Sequence, residues 1–167
     1  MDIKRLITDY LEKALLLQIA TSDNGIPWIC TVCFAYDSEF NLYWFSRHNT
    51  RHSQEISRNP CVAGAVVQPY ALGDKSRGLQ FAGSVSELHQ KQEVFLGLLA
   101  LQKRYDVKNK RIIQLRKEIL FHLADYGLYR LRPDSIILYD TITFPDSPRQ
   151  VYVPGTDMAR LHLEAQQ

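Results

Sequence analysis

The sequence predicts a mainly β (α+β) domain: an antiparallel barrel of six or seven strands with an N-terminal helix and peripheral helices. Three observations predict it. Short β-branched and aromatic runs follow one another across tight turns, a long helical stretch comes late in the chain, and strands and helices do not alternate as a parallel sheet requires. The 167 residues, 46% of them apolar, suffice for one core and are short for two. No repeat, low-complexity segment or linker interrupts them, so residues 1–167 read as a single domain, with 155–167 as a mobile tail.

Ile3, Leu6, Ile7, Tyr10, Leu11 and Ala14 recur at three- and four-residue spacing and predict an amphipathic helix from Asp2 to Ala14. Leu15 to Thr21 reads as a strand, Asp23-Asn24-Gly25 as a turn, and Trp28 to Tyr36 as the returning strand of a hairpin. Asp37 to Asn41 turns the chain into a third strand, Leu42 to Ser46. A short helix, Thr50 to Arg58, follows and ends at Asn59-Pro60.

Cys61 to Val67 is a small-residue strand, and Gln68 to Lys75, with Pro69 and Gly73, is a loop. Arg77 to Leu88 alternates as a half-buried strand does. From His89 to Ala124 the period becomes helical, with Val94, Leu98, Leu101 and Tyr105 on one stripe, Ile112, Leu115 and Ile119 on another, and Asn109 between two helices. Tyr126 to Leu131 and Ser135 to Phe144 return to strand around Pro133, and Val151 to Val153 adds a short last one.

Lysine and arginine total 20 against 18 acids, a net charge of +2, so no global field draws the chain to nucleic acid or membrane. Charges at Asp2, Lys4, Arg5, Asp9, Glu12 and Lys13 match neither a signal peptide nor a transmembrane span, and three cysteines suit a reducing compartment. The expected location is the cytoplasm. Basic residues gather between Lys103 and Lys117, but helix ends and solvated faces collect such charge, so no nucleic-acid partner is expected.

The chemistry concentrates in Leu42 to Pro60. An aromatic strand ends at Ser46 and is followed by Arg47, His48, Asn49, Thr50, Arg51, His52 and Ser53, where a helix begins. Free backbone N–H groups and the positive end of the helix dipole favour a phosphate there. Arginine grips phosphate through paired hydrogen bonds, and hydroxyls and imidazole add donors. The same residues also suit a solvated helix start capped by Thr50 or Ser53.

Cys30-Thr31-Val32-Cys33 has the spacing of a redox or zinc pair, but side chains three apart in a strand point to opposite faces. His48 and His52 are four apart with no third ligand nearby, so no metal is expected. No nucleophile elbow, phosphate-binding Walker loop or dinucleotide fingerprint occurs, and no catalytic residue stands out.

In the order of these pieces the chain resembles the flavin-mononucleotide-binding split barrels of the pyridoxamine 5'-phosphate oxidase-like superfamily, over roughly residues 5 to 153. The resemblance is sharpest in IATSDNGIPWICTVCFAYD, LYWFSRHNTRHSQEISRNPCVAGAV and RGLQFAGSVSEL. It implies that Phe45 and Ser46 end the strand lying along the flavin, that Thr50 and Arg51 bind its phosphate, and that His52 replaces the lysine usual in the family. It places Cys30, Thr31, Val32 and Cys33 on the strand bordering the ring and the ribityl phosphate. Gln80, on one sheet face with Gly78, is placed at the pyrimidine edge, and Arg149 falls in a segment that often returns to the cofactor.

The implied protein is a homodimeric flavoprotein with FMN at the subunit interface, an oxidoreductase acting on a small molecule. Alternatives are a flavin- or haem-binding carrier or sensor without turnover, and a relative using the deazaflavin F420. Arg160-Leu161-His162 echoes the substrate triplet of the true oxidase of vitamin B6 metabolism, but Leu163 follows it and only five residues remain. Oxidation of pyridoxamine phosphate is therefore not expected.

Overall fold

A computed structural model describes residues 2–69, 71–105 and 125–155. The elements run α1 (Ile3–Lys13), β1 (Leu16–Asp23), β2 (Ile26–Cys33), β3 (Ala35–Tyr36), β4 (Leu42–Arg47), α2 (Arg51–Arg58), β5 (Cys61–Val66), β6 (Arg77–Glu87), α3 (Lys91–Arg104), β7 (Tyr126–Asp140) and β8 (Arg149–Tyr152). The strands form one antiparallel sheet whose path is β2-β1-β5-β6-β7-β4-β3, with β8 paired on β7.

The two ends of that path, β2 and β3, are separated in the chain by the single residue Phe34. One residue spans less than 4 Å, so the sheet curls until its edges meet at that corner. A barrel closed at one corner results. Phe34 is fully buried there, which is why the expected strand from Trp28 to Tyr36 is two strands with a break.

Leu17, Ile19, Leu42, Trp44, Leu79, Leu131 and Leu138 point inward from four strands and form the core. The helices close the barrel. Asp2 accepts a hydrogen bond from the Lys4 amide and caps α1, and the Tyr10 hydroxyl on α1 donates to the Arg77 carbonyl. Helix α2 packs on β1, β2 and β6. Helix α3 lies over β3 and β4, and a Cβ on Gly97 would come within 3.1 Å of both Leu128 and Tyr43. Its buried residues are therefore Gly97 and Ala100, while Leu98, expected on the inner stripe, is 45% exposed.

Asn24 (φ 50°) and Gly25 (φ 79°) make the two-residue turn between β1 and β2, as a hairpin with left-handed central residues requires. Strand β7 runs unbroken through Pro133, where a break was expected, because the register shifts between Ala82 and Gly83 and Gly83 lies opposite Pro133. A Cβ on Gly83 would sit 2.2 Å from the Arg132 carbonyl oxygen and 2.9 Å from Pro133 Cα. Both are backbone atoms and cannot swing aside. Gly83→Ala is expected to lower unfolding free energy by about 1–3 kcal/mol, read from urea denaturation.

No helix among the described residues is long and apolar enough to cross a membrane. Of the basic stretch, Lys103 and Arg104 are described, and Arg104 donates to the Leu11 and Ala14 carbonyls at the end of α1. The rest of that stretch, the second helical stripe, the Arg160-Leu161-His162 triplet and the expected tail from 156 onward lie outside the described residues.

Candidate functional site

Strand β4 alternates, sending Leu42, Trp44 and Ser46 to the core side and Tyr43 and Phe45 toward α3. Ser46, one residue before the end of β4, is thus buried near the start of α2. Three residues supply the turn. Thr50 occupies the N-cap position with extended backbone, yet its side chain makes no capping bond. Its hydroxyl instead donates to the Arg47 carbonyl (2.9 Å) and lies 2.8 Å from the Ser53 Oγ. The first amides of α2 therefore keep their hydrogen-bonding capacity for another partner.

His52 Nε2 lies 2.8 Å from the Ser46 Oγ and 3.2 Å from the Thr50 Oγ1. Burial lowers the imidazole pKa from its usual 6.5, with nearby Glu55 opposing. Burial thus favours the neutral ring. Ser46, Thr50, His52 and Ser53, all singled out in the sequence, thus form one hydrogen-bonded cluster.

Arg51 is held from two sides. Its Nε donates to Glu55 Oε1 at 2.7 Å, one helical turn on, and its guanidinium carbon stands 4.3 Å from the centroid of the Trp28 ring on β2. Glu55 is 3% exposed, and its other oxygen accepts from the Thr21 hydroxyl of β1 at 2.5 Å. Those bonds, Thr21's first and then Arg51's, lower the Glu55 pKa below 4.5. With Nε engaged, the terminal edge of the guanidinium is the one left to grip a second anion.

Sequence reasoning did not single out Thr21, Trp28 or Glu55. The i,i+4 spacing of Arg51 and Glu55 was the available signal. A lowered carboxylate pKa stabilises the fold above the unfolded value and loses that contribution as pH falls through the folded one. Glu55→Gln is expected to lower stability at pH 7 and to flatten its decline below about pH 4.5, measured by urea unfolding across pH.

The other sequence candidates are distributed around this cluster. Arg47 turns to Tyr126, donating from Nε to its hydroxyl at 2.9 Å and lying over its ring. Phe45 is half-buried under α3. On β2, Cys30 and Val32 pack against the core while Thr31 and Cys33 are exposed on the outer face, so the two thiols face opposite sides. Burial pushes the Cys30 thiol up to about 11. Arg149 opens β8, opposite Tyr139. No cluster of three or more metal-ligating side chains occurs among the described residues.

Gln80 makes no contact with the cluster, but register connects it to the same sheet region. Thr31, Gln18, Ala65 and Gln80 are successive Cα partners across β2, β1, β5 and β6, and three strand spacings put Thr31 about 14 Å from Gln80. Between them runs an open groove of about 460 Å³ on the outer face, floored by Ala20, Ala63, Ala65 and Ala82 and flanked by Gln80 and Ile29. Ile29 adjoins Trp28, on which Arg51 stacks. Neighbouring side chains of a strand point to opposite faces, so the groove lies on the outer face of β2 and the Arg51 junction on its inner face.

The residues present fit a phosphomonoester: uncapped amides at the start of α2, the terminal edge of Arg51, and hydroxyl groups at one mouth. They also fit what a planar ring needs, a flat small-residue floor with an amide at its rim.

No family model matches the chain. It is 26% identical over 137 residues to the UPF0306 protein PM1958 of Pasteurella multocida, covering 81% of this chain and 87% of that protein. Solved structures share the fold at lower identity. A heme-binding protein from Mycobacterium smegmatis superposes with a TM-score of 0.66 at 14% identity over 92% of this chain, which spans only 58% of that one. A FAD-binding protein from Mesorhizobium loti gives 0.59 at 18% over 79% and 88% of the two chains. A Listeria innocua protein named for pyridoxamine 5'-phosphate oxidase gives 0.58 at 16% over 82% and 98%. With its sheet curled to a single closed corner and helices at its mouths, this chain has a split-barrel fold, the fold it shares with these solved structures.

Proposed function

We propose that this protein is a flavoprotein that holds FMN by its 5'-phosphate at the β4–α2 junction and carries out redox chemistry on a small molecule. The observation that carries this reading is Arg51, fixed between Glu55 and Trp28 beside an uncapped helix start. Arg51 and Thr50 bind the phosphate. Ser46 and His52 complete the mouth, and Thr31 and Gln80 flank the ring. Bound flavin supplies hydride or electron transfer, so the chain needs to provide only anchoring, orientation and a cleft.

A homodimer is part of the proposal. Leu16, Ile29, Val67 and Tyr139 are 38–63% exposed on the outer face that carries the groove, and a second copy laid there would bury them and wall the groove. The named neighbours that bind heme or FAD support a ligand of that size on this fold. The test is titration with FMN and riboflavin, which differ by the phosphate. FMN is expected to bind at least tenfold tighter; equal affinities would remove the phosphate from the reading. Reduction of the bound FMN by a nicotinamide donor, followed by reoxidation with an acceptor, tests turnover.

A further inference from the structure

The positive charge of Arg51 already has a match, because its Nε is bonded to the ionised Glu55. A phosphomonoester above about pH 7 is close to a dianion. A lysine one position after Arg51 would supply a permanent second charge, but this chain has His52, whose Nε2 lies within reach of the Ser46 and Thr50 hydroxyls. Both hydroxyls can accept as well as donate. An Nε2–H bond to Ser46 leaves that hydroxyl's own proton free to point into the mouth, while the Thr50 proton is held by the Arg47 carbonyl.

We propose that His52 takes up one proton from solvent as a phosphomonoester binds at the β4–α2 junction, making the site's second cation conditional on its ligand. The proposal rests on the phosphate reading above and deepens it. Before binding, burial favours the neutral ring; an adjacent dianion favours the imidazolium.

The groups facing this region are Arg51 and Glu55 on α2, Arg47 on β4, Cys30 on β2, Glu87 on β6 with His48 bonded to it at 2.8 Å, and Tyr126 and Tyr129 on β7. The Cys30 thiol is pushed to about 11, Tyr129 is raised above 10 and Glu55 is lowered below 4.5. None of these three titrates between about pH 7 and 8.5, where the ligand's phosphate is already ionised. His48 is the group to control for.

Linkage makes affinity weaken by up to about tenfold per pH unit in that window, and calorimetry in two buffers of different ionisation enthalpy counts the proton directly. Wild-type protein and His48→Gln are expected to take up close to one proton on binding FMN at about pH 7.5. His52→Gln and His52→Lys are expected to take up none, with His52→Lys holding its affinity to higher pH. No uptake by the wild type, or undiminished uptake by His52→Gln, would overturn the proposal.

Proton NMR of the His52 ring in the wild type, with and without inorganic phosphate, makes the same test without flavin or mutation. A rise in its pKa with phosphate supports the inference even if FMN does not bind. An unmoved titration overturns it, whatever the flavin result.

Discussion

Trp44→Ala is expected to lower unfolding free energy by about 3–5 kcal/mol, measured by urea denaturation. Trp44 is fully buried at the centre of β4 and stacks on Tyr129 of β7 with ring centroids 5.7 Å apart. Truncation leaves a cavity bounded by strands that cannot collapse without breaking their ladders. Trp44→Phe separates packing from polarity. The indole N–H has no hydrogen-bond partner among the described residues, so phenylalanine removes an unsatisfied buried donor while keeping a ring against Tyr129, and the loss is expected to be well below that of alanine.

Arg51→Ala is expected to weaken FMN binding by about 1.5–3 kcal/mol, roughly 10- to 150-fold, and to leave riboflavin binding unchanged. The contrast between ligands matters because Arg51 also serves the fold. Without it, the buried Glu55 keeps the Thr21 hydroxyl but loses its cation, and a destabilised chain would bind both ligands less well. The double variant Arg51→Ala/Glu55→Gln removes that stranded carboxylate. It is expected to recover stability while the phosphate-specific loss persists. Parallel losses for FMN and riboflavin in the double variant would mean that Arg51 does not bind the phosphate.

Local sequence was sufficient for much of the fold and for the centre of the site. Ser46, Thr50, Arg51, His52 and Ser53 lie within eight residues at one strand-to-helix turn, so their proximity follows from chain connectivity. Asp2, Asn24 and Gly25 likewise carry their capping and turn chemistry in themselves. What was not legible depends on partners distant in sequence. Pro133 reads as a break until Gly83, fifty residues earlier, lies opposite it and lets the strand bulge. Leu98 fits the inner stripe of α3 until Gly97 lets that helix settle onto Leu128 and Tyr43.

The same holds for the site's supports. Thr21 and Trp28 are opposite one another across the first hairpin, yet only the packing of α2 on that hairpin gives them Glu55 and Arg51 as neighbours. Gln80 reads as an exposed strand residue on its own; the register row through Ala65 and Gln18 puts it across the groove from Thr31. Side chains of this kind are set by register and closure, which local periodicity does not encode.

The absorption spectrum of the protein as purified, repeated after incubation with FMN and removal of excess, tests the central claim most directly. The account predicts the yellow spectrum of a flavin, present initially or acquired on incubation, at about one FMN per chain. A protein that stays colourless after incubation, or one that carries the intense Soret band of haem and takes up no FMN, would contradict it.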